Sequence, residues 1–227
     1  MTERRLVIAL DGPSGAGKST AGRGLAERLG YTFIDTGAMY RALALKALRA
    51  GVATDDGEAL ASLLSRTAIA LADAGRAVSL DGEDVSAAIR TREVSDAASR
   101  GAAHGAVRRA MVERQQEMGR AGGVVMDGRD IGTAVFPGAD VKFFVLADPA
   151  RRAERRHREL QAAGQAADLK AIEQDVRERD QRDTTRAESP LVRAADAVDV
   201  DTTDLGPDEV VERMLAIVRE RSAVPAR

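Results

Sequence analysis

The chain has 227 residues, of which 44% are hydrophobic and 31% charged, with a formal net charge of −2. Such a composition fits one packed core carrying inserts, and it excludes a disordered chain or a surface built wholly to hold nucleic acid. There is no cysteine, and the two histidines, His104 and His157, lie far apart, which excludes a disulfide framework, a thiolate nucleophile and Cys-type zinc sites.

Arg4 and Arg5 precede only five apolar residues, 6–10. That run is too short for a signal-peptide core, and no later run approaches a membrane span, so a cytoplasmic protein is expected. The same run, LVIAL, is continuous and followed by a glycine-rich turn, which predicts a strand buried on both faces. Residues 19–29 carry apolar or small side chains at helical spacing and stop at Gly30. A strand over 32–35 and a helix over 38–50, stopping at Gly51, repeat the pattern. Over 67–99 the short β-like pieces AIAL and AVSL, around Gly75 and Asp81-Gly82, predict a small insert bearing a hairpin. A helix over 103–120 and strands over 124–127 and 141–146 follow. Residues 151–188 are rich in charge and helix formers and poor in large apolar anchors, as in a solvent-facing, mobile helical lobe. A strand over 197–201 and a helix over 207–221, opened by Pro207, complete the chain. Strands separated by helices predict an α/β fold with a mostly parallel five-stranded sheet covered on both faces.

The block Gly12-Pro13-Ser14-Gly15-Ala16-Gly17-Lys18-Ser19-Thr20 satisfies the phosphate-loop pattern G-x-x-x-x-G-K-[ST], with a strand before it and a helix after it. Its glycines let the backbone curl so that N–H groups and the helix N-terminus face phosphate oxygens. Lys18 is then the bridge between β- and γ-phosphates, and the Ser19 hydroxyl is a ligand for Mg²⁺. The pattern alone serves kinases, GTPases, motors and transporter ATPases. The chain contains no asparagine, so the Asn-Lys-x-Asp motif that reads guanine is missing.

Three further clusters stand out, two of them at the carboxyl ends of strands, where ligands collect in open α/β sheets, and one at the end of the mobile lobe. After the second strand come Asp35, Thr36 and Arg41; for Asp35 and Thr36 helix capping is as good a reading as ligand contact. After the 124–127 strand comes Asp127-Gly128-Arg129-Asp130, in which Asp127 suits a Walker B acid that reaches Mg²⁺ through water, and Arg129 is a bidentate phosphate donor. In 177–186, Arg179, Arg182 and Arg186 recur at i, i+3 and i+7 and share a face if the segment is helical. Only four of the 34 basic residues are lysines, so an arginine here counts by position, and a solvated charged face is the competing reading. These clusters leave open the acceptor, whether a nucleoside monophosphate such as UMP or a small hydroxyl metabolite, and also a nucleotide-binding module without turnover.

GPSGAGKST, DTGAMYRA (35–42), DGRDIGT (127–133), ERDQRDTTR (178–186), PLVRAADA (190–197) and DTTDL (201–205) together resemble the motifs of bacterial cytidylate kinases, in order and over nearly the whole chain. The resemblance implies a three-layer P-loop kinase core (1–60, 100–150 and 189–227), an inserted nucleotide-binding lobe (about 61–99) and a helical lid (about 151–188). It implies ATP-dependent phosphorylation of CMP and dCMP with Mg²⁺. Because no long apolar stripe is left unassigned, a monomer is expected, and the charge and hydropathy pattern predict no nucleic-acid or membrane partner for this cytoplasmic enzyme. Lys18, Arg129, Arg179 and Arg186 are implied as catalytic, and residues 12–20 with Arg156 as the ATP site. Arg41, Arg129, Arg179 and Arg186 match the positions that hold the acceptor phosphate; Ser99, Arg108 and Asp130 match those around cytosine, Asp183 the one near the ribose, and Thr36 joins the CMP site. Arg152, Arg155 and Arg156 are expected to reach the ATP side only when the lid closes.

Overall fold

The computed structural model describes residues 5–162 and 164–222. At its centre lies β1 (Val7–Asp11), buried from Ile8 onward because it has a strand on each side and helices on each face. It pairs with β6 (Val124–Asp127) on one side and β7 (Val141–Leu146) on the other; β2 (Thr32–Asp35) lies beyond β6, and β8 (Val198–Asp201) beyond β7. All these pairings are parallel, in the order β2-β6-β1-β7-β8. The chain passes from β1 to β2 on one side and from β6 to β7 across to the other, so a crevice opens at the carboxyl ends of the central strands.

Alternation along the strands divides the core into two faces. Ile8, Leu10, Val125, Phe143 and Val145 pack on α1 (Lys18–Leu29) and α8 (Pro207–Ser222) through Ala21, Leu25, Val210, Met214 and Val218. Ala9, Ile34, Val124 and Met126 cover the opposite face with Ile131 and Val135. Beside them α2 (Thr36–Arg49), α3 (Gly57–Ser65) and α5 (Gly105–Gly119) meet through Met39, Leu43, Leu60, Leu64, Val107 and Met111. Each such large side chain, fully buried, contributes roughly 1.5–3 kcal/mol.

The insert holds the expected hairpin. β3 (Ile69–Ala72) pairs antiparallel with β4 (Ala77–Leu80), which pairs with β5 (Glu83–Asp84). Asp81 and Gly82 turn the chain between β4 and β5 with φ of 51° and 91°, the positive-φ pair that two-residue hairpins favour. The rest of the insert differs from the expectation, because its last part is a helix, α4 (Arg92–Gly101), opened by Thr91, whose side chain accepts from the Val94 N–H at 3.2 Å. Most of its buried residues are small, Ala97, Ala98, Ser99 and Gly101, so its apolar period is faint in the sequence. The short α3, capped by Asp56, is likewise absent from the predicted elements.

The charge-rich segment forms α6 (Pro149–Ala162) and α7 (Leu169–Thr185), whose only buried apolar residues are Ala153 and Ile172. It is not wholly solvent-facing as its composition suggests: Arg152 and Asp183 are buried, 2% and 6% exposed, because the two helices fold their charged inner faces over the crevice. Among the described residues no helix is long and apolar enough to cross a membrane.

Packing of α1 on the sheet is close enough to be tested. A Cβ on Gly22 would lie 2.6 Å from the Phe33 ring and 3.3 Å from Leu10. Alanine in place of a mid-helix glycine normally stabilises by about 1 kcal/mol, but here overpacking dominates, and Gly22→Ala should destabilise by about 1–3 kcal/mol. A lower urea midpoint with unchanged m-value is the expected outcome.

Candidate active site

Parallel register brings three loop-bearing strand ends into one row. Leu10 of β1 lies opposite Asp127 of β6, and Asp127 opposite Asp35 of β2. Beyond β1 the chain turns sharply through Gly12, Gly15 and Gly17, at φ of 145°, 76° and 84°. Gly12 has no room for a side chain, since a Cβ would meet the Val145 carbonyl oxygen at 2.1 Å. The loop ends on Gly17, directly before Lys18 at the start of α1, so unpaired N–H groups of the helix N-terminus face the crevice.

Lys18 is buried and its Nζ donates to the Pro13 carbonyl at 2.7 Å. Burial first, and then repulsion from Arg129, push its amine down to about 7. The Ser19 hydroxyl donates to Asp127 Oδ2 at 2.6 Å. Burial, and the neighbouring Asp35 after it, push the Asp127 carboxyl up to about 6. Before any ligand arrives, both charges are held at a cost.

Asp35 does serve as a helix cap, its Oδ1 accepting from the Ala38 N–H at 2.8 Å, while Oδ2 pairs with Arg41 at 3.1 Å. Thr36 donates its hydroxyl to the Asp127 carbonyl at 2.6 Å, tying the ends of β2 and β6 together. Both residues line the crevice.

The remaining residues expected on the acceptor side line the same crevice as Lys18. Arg129 Nε donates to Asp183 at 2.8 Å, and Arg186 lies 3.4 Å from the other oxygen of the same carboxylate. Asp130 is ion-paired to Arg108, and Arg186 lies 3.9 Å from it. Arg108 also stacks over the Tyr40 ring at 5.8 Å, and the Ser99 hydroxyl is buried without a hydrogen-bond partner. Arg179 Nε and Arg186 Nη2 are buried and unbonded as well. Burial, and then Arg129, lower Arg179 to about 10, so it keeps its charge at neutral pH. Burial likewise disfavours the charge of Arg129, but Asp183 beside it more than offsets this and raises it above its ordinary value. Buried N–H groups without acceptors cost about 1–3 kcal/mol each. An anion placed among them would relieve that cost.

Ser14, Gly15 and residues 17–20 of the loop, together with the residues expected on the acceptor side, face one crevice of about 2170 Å³, lined by Lys18, Arg41, Ser99, Arg129 and Arg179 among others, while Gly12, Pro13 and Ala16 do not line it. That exceeds the 300–1,000 Å³ typical of a site for one small ligand and leaves room for two nucleotides.

The three arginines of α6 differ in what they hold. Arg152 is already seated: it donates to the Ala147 carbonyl at 3.0 Å and the Ser14 carbonyl at 3.1 Å, and grips Asp180 with both terminal nitrogens at 3.0 and 2.6 Å. It lies on the first turn of α6, which follows β7. Arg155 is bound to Thr202, at its hydroxyl (3.1 Å) and at its carbonyl (2.5 Å). Arg156 lines the crevice and pairs with Glu159 at 3.1 Å. Arg182 pairs with Asp96 of α4 at 3.1 Å, and Arg186 follows the end of α7 rather than continuing its face. Sequence reasoning missed Arg152 as a loop support, and it missed Asp11, whose carboxylate accepts from the N–H groups of Ile131 and Gly132 at 2.8 and 2.7 Å.

The family model described as cytidylate kinase matches residues 8–220. The chain belongs to the cytidylate kinase family. A cytidylate kinase of Anoxybacillus flavithermus is 49% identical over 221 residues, covering 96% of this chain and 98% of its own. One from Syntrophotalea carbinolica is 51% identical over 223 residues, covering 97% and 95%. Among solved structures, shikimate kinase from Acinetobacter baumannii superposes with a TM-score of 0.53 at 17% identity, covering 98% of this chain and 97% of that one. This last likeness concerns the fold, a P-loop kinase α/β core. The chain is accordingly a phosphotransferase.

The raised Asp127 carboxyl fixes the sign of a pH effect. Its folded value of about 6 lies above the ordinary 3.8, so between these the folded state binds more protons, and stability falls as pH rises from about 4 to 6. Asp127→Asn should remove this contribution. Its stability relative to wild type should therefore be greater at pH 7 than at pH 4, measured by urea unfolding of the unliganded proteins.

Proposed function

We infer that the chain transfers the γ-phosphoryl group of ATP to CMP or dCMP, giving ADP and the cytidine diphosphate, in the cytoplasm and as a monomer. The observation that carries this reading is the presence of buried cationic N–H groups without a hydrogen-bond acceptor, Arg179 Nε and Arg186 Nη2, from residues that line the same crevice as Lys18, wide enough for two nucleotides. ATP is taken by residues 12–20, with Arg156 on its outer side. The acceptor phosphate is taken by Arg41, Arg129, Arg179 and Arg186.

Base recognition follows from hydrogen-bond chemistry. The Asp130 carboxylate accepts from the cytosine N4 amine, and Arg108 and Ser99 serve O2 and N3. Uracil carries a carbonyl at the position of that amine, so it would turn an acceptor toward a carboxylate. Asp183 lies near the ribose but is committed to Arg129 and Arg186; it sets the arginines and leaves the sugar a minor determinant.

Mg²⁺ fits beside the loop. Ser19 and Asp127 offer oxygen donors only, and among the described residues no cluster of three acidic, His or Cys side chains forms a cage, as suits an ion that keeps its waters and arrives with phosphates. Ser19 would hold it directly and Asp127 through water, and it would supply charge neutralisation to the β- and γ-oxygens. A phosphate monoester is a dianion above its second pKa of about 6, so no general base is required. Lys18 and the arginines work by positioning and by stabilising charge spread over the transferring group. The lobes 61–99 and 151–188 close over the two nucleotides and exclude water.

ADP release measured against a panel of CMP, dCMP, UMP and small hydroxyl metabolites tests the reading. Turnover should be greatest with CMP and dCMP; none of the nucleotides acting, or a hydroxyl metabolite acting instead, would overturn it. Lys18→Ala should lower kcat by about 10² or more because its contact strengthens as charge develops. Arg129→Ala should lower kcat and raise the acceptor KM together. Wild-type constants in either variant would remove that residue from its role.

A further inference from the structure

We propose that Asp11 is a positioning residue for the acceptor half of the reaction, tying the loop that carries Arg129 and Asp130 to the strand from which the donor loop departs. This rests on the acceptor reading of those two residues. Asp11 is the last residue of β1 and is 4% exposed. Both of its carboxylate oxygens are used on backbone: Oδ1 accepts from the Ile131 N–H at 2.8 Å and Oδ2 from the Gly132 N–H at 2.7 Å. One residue earlier, the Leu10 carbonyl accepts from the Gly128 N–H at 2.9 Å.

The acceptor loop is therefore held on both sides by consecutive residues of β1. Between the two grips lie Arg129 and Asp130 and nothing else. In the other direction along the chain the next residue is Gly12, fixed against the Val145 carbonyl. A shift of Asp11 would thus alter the relation between the donor loop and the arginine that faces it. Asp11 is also absent from the residues lining the crevice, so its action on substrate runs through the backbone it holds.

Charge makes the tie demanding. Burial pushes the Asp11 carboxyl up to about 6, the two backbone hydrogen bonds pull it down, Asp130 raises it and Lys18 lowers it. An apolar side chain of similar size would fill the space yet leave two N–H groups buried and unpaired. Asparagine offers one acceptor oxygen and turns an amide N–H₂ toward the second donor, so one grip is lost while the volume is kept.

Two variants test the proposal from opposite sides. Asp11→Asn removes one hydrogen bond. Gly132→Ala keeps Asp11 but places a Cβ 3.0 Å from the Lys142 side chain and 3.3 Å from Asp11 Oδ2, displacing the same segment. Steady-state rates are measured with CMP and ATP varied separately, alongside circular dichroism to score the folded fraction. Losing one buried hydrogen bond should raise the CMP KM of Asp11→Asn roughly tenfold with lower kcat, the ATP KM staying within about twofold. Gly132→Ala should move the same constant in the same direction, by less. If Asp11→Asn does not fold, Gly132→Ala decides. A folded variant whose CMP KM is unchanged, or whose two KM values rise alike, overturns the proposal, because a merely structural carboxylate would loosen both walls equally or only reduce the amount of active protein. Failure of the wild type to phosphorylate CMP would instead overturn the acceptor reading on which the proposal depends.

Discussion

A guanidinium group can be buried only if something nearby carries the opposite charge, and that requirement organises the catalytic half of this molecule. Asp183 is the pivot. One of its oxygens holds Arg129 at 2.8 Å, the other lies 3.4 Å from Arg186, and Arg179 in turn favours its ionised form. Burial alone would raise the Asp183 carboxyl, yet the surrounding arginines keep it below its ordinary value. The carboxylate therefore stays ionised and the arginines stay gathered. They come from the loop after β6 and from the end of α7, so a single charge joins the sheet to the lid. Arg179, buried beside these groups, leaves a net cationic environment suited to an anion.

The same accounting explains the donor wall. Lys18 bonded to Pro13 holds the loop in shape, but its burial beside Arg129 disfavours its charge. Phosphate oxygens would restore that charge and replace the carbonyl as partner. Lys18 and Arg129 thus disfavour each other's charge across the crevice.

How much of this could be read from the sequence depended on whether a constraint was local. The phosphate loop was legible because Gly12, Gly15 and Gly17 each meet a backbone requirement within nine residues, at positive φ. Of the five strands of the main sheet, β1, β6 and β7 are legible as apolar runs and β8 as an alternation of valine with aspartate, and their common edge follows from alternation with helices. Asp35 and Thr36 were read as either caps or ligand contacts, and the structure has Asp35 capping α2 and Thr36 bonding to β6. In contrast, α4 hid behind small residues, and Arg152 gave no local sign that it would lie under the phosphate loop, being one of many arginines in a charged helix. Asp11 was illegible for a different reason: its partners are 120 and 121 residues away, and a backbone N–H leaves no trace in a sequence.

The two outer strands of the main sheet carry a further consequence. Unpaired strand edges invite other chains to add to them. At the β2 edge the turn Asp73–Gly75 folds in, fixed by Arg23 donating to the Ala74 carbonyl at 2.8 Å, with Gly75 so near Phe33 that a Cβ would be 3.2 Å from its ring. At the other edge β8 alternates Val198 and Val200 with exposed Asp199 and Asp201, and Asp199 is engaged by Arg193. One edge is roofed and the other is charged. A sheet that must stay open at its carboxyl end for substrates is thereby protected along its sides from templating an aggregate.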